Sequence, residues 1–145
     1  MAVNAERERA QAPLEVVERL LFATNGHDLD ALVACFADDY ANDTPLHPAR
    51  GFVGRAQVRR NWEQIFTFVP DVRAEMTRTA VDGDTVWSEW EMRGMRRDGT
   101  AHLMRGCIVF GVVDGLIRWA RFYLEPVDES EATVDDAVRG QVVRR

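Results

Sequence analysis

Glu89, Glu91 and Arg93, with His102 across a turn, are the side chains whose types and spacing best suit acid–base chemistry. Residues two apart on a strand share a face, so the two acids and the arginine stand together. Two carboxylates in one apolar cavity cannot both ionise cheaply. One takes a raised pKa and can act as general acid or base near neutral pH, while Arg93 keeps the other ionised. Placed outward, the same row is a cross-strand ion-pair ladder with no chemistry. The turn at Asp98-Gly99 decides between the two. A two-residue turn pairs Glu91 with Gly106, Arg93 with Met104 and Met95 with His102, whereas a single G1 bulge reverses the faces.

The elements that must position this row follow from patterning. Pro13 can occupy a first helical turn, and Leu14, Val17, Leu20, Leu21 and Thr24 then recur at helical spacing up to Asn25-Gly26. Asp28 is a good N-cap for a short second helix carrying Leu29, Leu32, Val33 and Phe36. Residues 40–44 read as a short extended segment before a loop over 45–54. A third helix follows, with Val58, Trp62, Ile65, Phe66 and Val69 on one face, closed by Pro70. Its other face carries Arg55, Arg59 and Arg60, which reads as solvated surface. Strands are expected over 72–81, 85–96, 101–113 and 116–124, separated by Asp82-Gly83, Asp98-Gly99 and Asp114-Gly115. Asp-Gly between apolar runs signals a hairpin, so these strands form an antiparallel meander. Helices first and a meander afterwards is an α+β arrangement.

At 145 residues and 46% hydrophobic composition the chain suits one domain. The expected boundaries are a loosely attached segment over 1–12, a domain over 13–127, and a tail over 128–145. In that tail Val134, Val138 and Val142 mark a short helix that docks on the body or on a second subunit. A net charge of −6 argues against nucleic acid as the main partner. No apolar run approaches the ~20 residues of a membrane span, and the N-terminus does not read as a signal peptide, so a cytoplasmic location is expected. Cys35 and Cys107 are then expected as free buried thiols. His27, His47 and His102 lack paired ligand spacing, and no glycine-rich nucleotide loop is present, so neither metal nor organic cofactor is expected.

Val16-Val17-Glu18-Arg19, the run 26–32 and Cys35-Phe36-Ala37-Asp38-Asp39 look like the opening of the ketosteroid isomerase and SnoaL-like families. The run 40–45, Gly54-Arg55, Asp114-Gly115-Leu116-Ile117 and Arg121-Phe122-Tyr123 continue the match, over about 13–127. The resemblance is to the nuclear transport factor 2-like superfamily. It implies three N-terminal helices packed on a curved antiparallel sheet, forming a cone with an internal pocket. That fold hosts isomerases, cyclases, epoxide hydrolases and non-catalytic domains alike.

Carried over residue by residue, the resemblance puts a general base at Asp43. It finds Leu20 where isomerases hold an oxyanion tyrosine, no acid around Gly106, Cys107 and Ile108, and Phe122 where hydrolases and cyclases hold a last-strand acid. A gap-free comparison puts Glu89, Glu91 and Arg93 on the pocket side and leaves Trp90, Met92 and Cys107 on an outer face, where an isologous dimer fits. Gly106 opposite Glu91 then leaves room for a ligand.

The resulting site has Asp43, Glu91 and Arg93 as catalytic groups, lined by Tyr40, Trp62, Ile65, Phe66, Glu89, His102, Met104, Gly106, Ile108 and Phe122. Two functions are expected of it. One is cofactor-free proton transfer (isomerisation, cyclisation or elimination) on a hydrophobic carbonyl compound. The other is a non-catalytic domain that binds a small hydrophobic ligand or a second copy.

Overall fold

The apolar periodicity of the first half folds as helices α1 (Ala2–Asn25), α2 (Leu29–Ala34) and α3 (Arg55–Phe68). The structure is a computed structural model that describes residues 2–143, without the side chains of Ala10 and Gln11. Residues 1, 144 and 145 of the two terminal segments therefore lie outside the description. Helix α1 buries Val16, Val17, Leu20, Ala23 and Thr24, and the Thr24 hydroxyl donates to the Leu20 carbonyl at 2.8 Å, which satisfies the one polar group on that face. Pro13 lies inside α1 rather than in its first turn, because the helix runs back to Ala2. Proline keeps the helical φ and interrupts the ladder only locally. Asp28 caps α2, its carboxylate accepting the Ala31 N–H at 3.1 Å.

The second half supplies most of one six-stranded sheet: β1 (Phe36–Asp43), β2 (Phe52–Val53), β3 (Arg73–Asp82), β4 (Thr85–Met95), β5 (Ala101–Val113) and β6 (Leu116–Pro126). The strand order is β2-β1-β6-β5-β4-β3, antiparallel throughout except where β1 runs parallel to β6. The sheet curves without closing, and α1 packs across β3, β4, β5 and β6. The result is the expected α+β cone.

The hairpins show how one dipeptide builds two different turns. Asp114 and Gly115 both take positive φ, 54° and 75°, and Val113 pairs directly with Leu116. That is a two-residue turn. At Asp98-Gly99 the Arg96 N–H instead donates to the Thr100 carbonyl at 2.8 Å, and the Gly99 N–H donates to the Arg96 carbonyl at 2.9 Å. With Gly99 at φ +85°, this is a three-residue loop with a G1 bulge. Thr100 makes the difference. Its N–H and its hydroxyl both donate to the Asp98 carboxylate, at 3.0 and 2.6 Å, which stabilises the longer loop and holds that carboxyl below its usual range, helped by the Arg96 charge.

The bulge moves the pairing by one residue. Trp90 opposes Gly106, Glu91 opposes Arg105 and Met92 opposes Met104. Trp90 and Met92 are 4% and 6% exposed and face the core. Glu89, Glu91 and Arg93 consequently face outward, which overturns their expected place on the pocket side. Trp90 and Met92 likewise leave the outer face expected to carry a dimer. Gly99→Ala should cost about 1–2 kcal/mol, because a Cβ is disfavoured at that φ. Urea denaturation should show a lowered midpoint with an unchanged slope.

Cys35 is buried and Cys107 half-buried, both as free thiols, and burial pushes the Cys35 thiol up against a smaller opposing pull from Arg19. Beyond the sheet, α4 (Val134–Val142) begins at a capping box in which Thr133 and Asp136 bond each other's backbone. Val134, Val138 and Val142 remain exposed on it, so this helix does not dock on the body.

Candidate functional site

Alternation along β1 turns Tyr40 and Asn42 toward the concave side of the sheet and Asp43 away from it. Tyr40 is 1% exposed, and its hydroxyl donates to Asn42 Oδ1 at 2.8 Å. Asn42 Nδ2 in turn donates to Thr44 Oγ1 at 3.4 Å. Burial pushes the Tyr40 hydroxyl well above the usual phenol range, so it stays neutral at any physiological pH.

Trp62 and Ile65 of α3, Met92 of β4, Met104 of β5 and Phe122 and Leu124 of β6 close a cavity around this polar chain. Its volume is about 310 Å³, near the lower limit of roughly 300–1,000 Å³ for small-molecule pockets. Arg50, His102 and Glu125 also line it, and Glu125 Oε1 lies 3.0 Å from His47 Nε2. Among the described residues no three His, Cys, Asp or Glu side chains converge to hold a metal ion, and no helix is long and apolar enough to cross a membrane.

A cone of three helices on this strand order, curved around an apolar cavity, matches a family model and a set of solved structures. The model of the SnoaL-like domain family matches residues 17–120, most of the chain. The chain belongs to the SnoaL-like domain family. A comparison with curated proteins found no match. Among solved structures, a Mycobacterium tuberculosis LEH-like epoxide hydrolase is similar at a TM-score of 0.69 and 22% identity, covering 80% of this chain and 84% of that one. IdmH of Streptomyces antibioticus, described as a proposed polyketide cyclase, is similar at 0.68 and 22%, covering 78% and 91%. A further M. tuberculosis protein, in complex with estradiol-17β-hemisuccinate, is similar at 0.67 and 18%, covering 77% and 92%. At these identities the likeness speaks for the fold and not for a reaction.

Within this SnoaL-like domain the expected site residues divide sharply. Tyr40, Trp62, Ile65, His102, Met104 and Phe122 all line the cavity. Phe66 sits one turn along α3 and stacks on His27, with ring centroids 4.7 Å apart. Ile108 is buried in the core, and its carbonyl accepts the Ser88 hydroxyl at 2.6 Å. Gly106 does not line the cavity. It takes φ +149°, and a Cβ there would strike the Tyr123 carbonyl oxygen, so close approach of β5 and β6 requires the glycine.

The charged candidates lie outside the cavity. Asp43 is exposed and 3.7 Å from Arg121 Nε across the parallel β1–β6 pair. Glu89 is exposed. Glu91 accepts from Arg105 Nε at 3.0 Å, and its other oxygen is buried against Arg93. This is an ion-pair ladder on the outer face. The expected roles of Asp43, Glu91 and Arg93 as groups facing a substrate in the pocket therefore lose their geometry. The cause is the G1 bulge for the β4 pair and strand alternation for Asp43.

Asn42 and Asn61 were missed, and both had a signal. Asn42 follows Tyr40 by two on one strand. Asn61 shares a helical face with Val58, Trp62 and Ile65 at spacings of three and four. On α3's opposite face Arg55 and Arg59 pair with Asp38 and Asp30, at 2.7 and 2.9 Å.

His102 is, with Tyr40, a titratable group of the cavity wall that burial perturbs. Desolvation and then the nearby Arg96 charge lower its pKa from 6.5. Between the lowered value and 6.5 the unfolded chain binds a proton that the folded chain refuses, so stability rises with pH across that window. Acidification from pH 7 should therefore lower the melting temperature of the natural chain through this interval. His102→Gln should flatten that part of the profile.

Proposed function

We propose that this SnoaL-like domain binds a small, mostly apolar molecule in the cone cavity and does not use Asp43, Glu89 or Glu91 for catalysis. One observation carries this reading: the cavity wall is mostly apolar, its one carboxylate, Glu125, is engaged by His47, and Asp43, Glu89 and Glu91 all lie outside it. A catalyst of proton transfer needs its base within reach of the substrate proton. The volume suits a body of about two fused rings. The estradiol ester held by a relative of the same fold supports an apolar occupant.

The uncharged fluorophore N-phenyl-1-naphthylamine tests the reading. Saturable one-to-one binding with a blue shift is expected, with the same midpoint in Glu91→Gln at every pH from 5 to 9. A non-saturating signal, or a pH-dependent midpoint that Glu91→Gln abolishes, sinks it.

Proton transfer keeps one specific support. His102 reaches the wall and is held neutral near pH 7, as a base must be. On that second reading the domain isomerises, cyclises or eliminates from a hydrophobic carbonyl compound, with His102 taking the proton α to the carbonyl. Exchange of the methyl protons of 2-acetylnaphthalene into D₂O, followed by NMR, measures it. Acceleration by the natural chain and its loss in His102→Gln would favour catalysis over simple binding.

A second copy is the proposed macromolecular partner. The outer sheet face exposes half of Trp87 and part of Tyr123 among charges of both signs, a surface able to complement itself around a two-fold axis. Sedimentation at micromolar concentration should give a dimer that Trp87→Asp dissociates.

A further inference from the structure

We propose that Asn61 makes the cavity selective for a ligand with an acceptor oxygen, and that Gln57 and Arg60 fix it in that role. This rests on the binding reading above and adds the chemistry of the ligand. The argument begins at the surface of α3. Arg60 Nη2 lies 2.6 Å from Gln57 Oε1. A guanidinium has donors only, so the Gln57 atom facing it must be the carbonyl oxygen. That leaves the Gln57 amide nitrogen to donate onward, and it does so to Asn61 Oδ1 at 2.8 Å. The Asn61 oxygen is thereby turned toward a neighbour that does not line the cavity. Its Nδ2 has no hydrogen-bond partner among the described residues, although Asn61 itself lines the cavity.

The relay therefore settles an amide orientation that would otherwise be free to flip. Positions 57, 60 and 61 lie three and four residues apart, so the chain of bonds runs along one side of a single helix. With Oδ1 held by Gln57, the Asn61 group left unpaired is the Nδ2 donor. The Tyr40–Asn42–Thr44 chain differs, since its groups already bond one another. A carbonyl or ether oxygen on an apolar body satisfies the Asn61 amide. A pure hydrocarbon of the same shape leaves it unpaired, which costs affinity. Gln57 and Arg60 are positioning residues, acting only through Asn61.

A matched pair of probes, 2-acetylnaphthalene and 2-isopropenylnaphthalene, reads this directly, because the two differ only in a carbonyl oxygen replaced by a methylene. Their dissociation constants, measured by calorimetry on the full chain, give a ketone-to-alkene ratio for each variant. Asn61→Leu should reduce the ketone preference roughly three- to tenfold while leaving alkene affinity within about twofold. Arg60→Met should move the ratio the same way by a smaller factor, and Arg60→Lys, another donors-only cation, should restore it. Gln57→Ala provides an independent route to the same shift should Asn61→Leu fold poorly. If both probes bind and the ratio is the same in the natural chain, Asn61→Leu and Gln57→Ala, the selectivity inference is overturned while binding stands. If neither probe binds the natural chain, the binding reading fails and this inference with it.

Discussion

Trp90→Ala should lower the free energy of unfolding by about 3–5 kcal/mol, the cost of removing a large buried aromatic and leaving a cavity. Glu91→Gln, one residue along, should cost no more than about 1 kcal/mol, as expected for an ion pair with partly exposed arginines. The contrast tests the register directly. Trp90 is 4% exposed, lies 6.2 Å from Phe110 between ring centroids, and donates from Nε1 to the Ser88 hydroxyl at 2.7 Å. That hydroxyl donates to the Ile108 carbonyl, so the indole sits at the end of a fully satisfied buried chain. Glu91 meets only Arg93 and Arg105, whose side chains are 64% and 56% exposed. Two urea denaturation curves suffice. A large loss in Glu91→Gln with a small one in Trp90→Ala would mean that the G1 bulge is absent and that the acids face inward.

Filling the cavity is the second large effect. Met104 lines it from β5, opposite Met92 on β4 and beside the α3 residues Trp62 and Ile65. Met104→Trp places an indole in open space of about 310 Å³. Overpacking is costly where no void exists, but here the added ring takes volume that a ligand would otherwise occupy. Affinity for N-phenyl-1-naphthylamine should fall at least about tenfold, a loss of roughly 1.4 kcal/mol. The melting temperature should change little. Trp87→Ala on the outer face should leave that affinity unaltered. Undiminished binding in Met104→Trp would place the probe elsewhere, most plainly on the outer sheet face.

The two experiments bear on one structural fact. Asp98-Gly99 and Asp114-Gly115 are the same dipeptide between apolar strands, yet one makes a three-residue bulged loop and the other a two-residue turn. Thr100 distinguishes them by bonding back to Asp98 twice. A shift of one residue in a strand moves every side chain to the other face. The acids assigned to the pocket and the tryptophan assigned to a dimer face thus exchange places together.

Much of this protein was legible in its residues. The helical spacing of Val17, Leu20 and Thr24, the Asp28 cap, and the run Val58, Trp62, Ile65 each marked an element and its buried face, because periodicity and capping are local physics. The strand over 101–113 and its neighbours followed from turn chemistry for the same reason. Resemblance located the family, and the inward position of Phe122 and Met104 survived because the β5–β6 pairing carries no bulge at those residues. Tertiary structure alone decided which row of β4 faces the cavity. It also turned Asp43 outward toward Arg121 and joined Arg60, Gln57 and Asn61 into one relay. Composition and periodicity place residues on a helix or strand, but a face is chosen by register, and here the register that buries Trp90 and Met92 in the core goes with a bulged loop at Asp98-Gly99. The candidate acid–base row at 89–93 was correctly seen as one surface; the fold made it the outside of the cone.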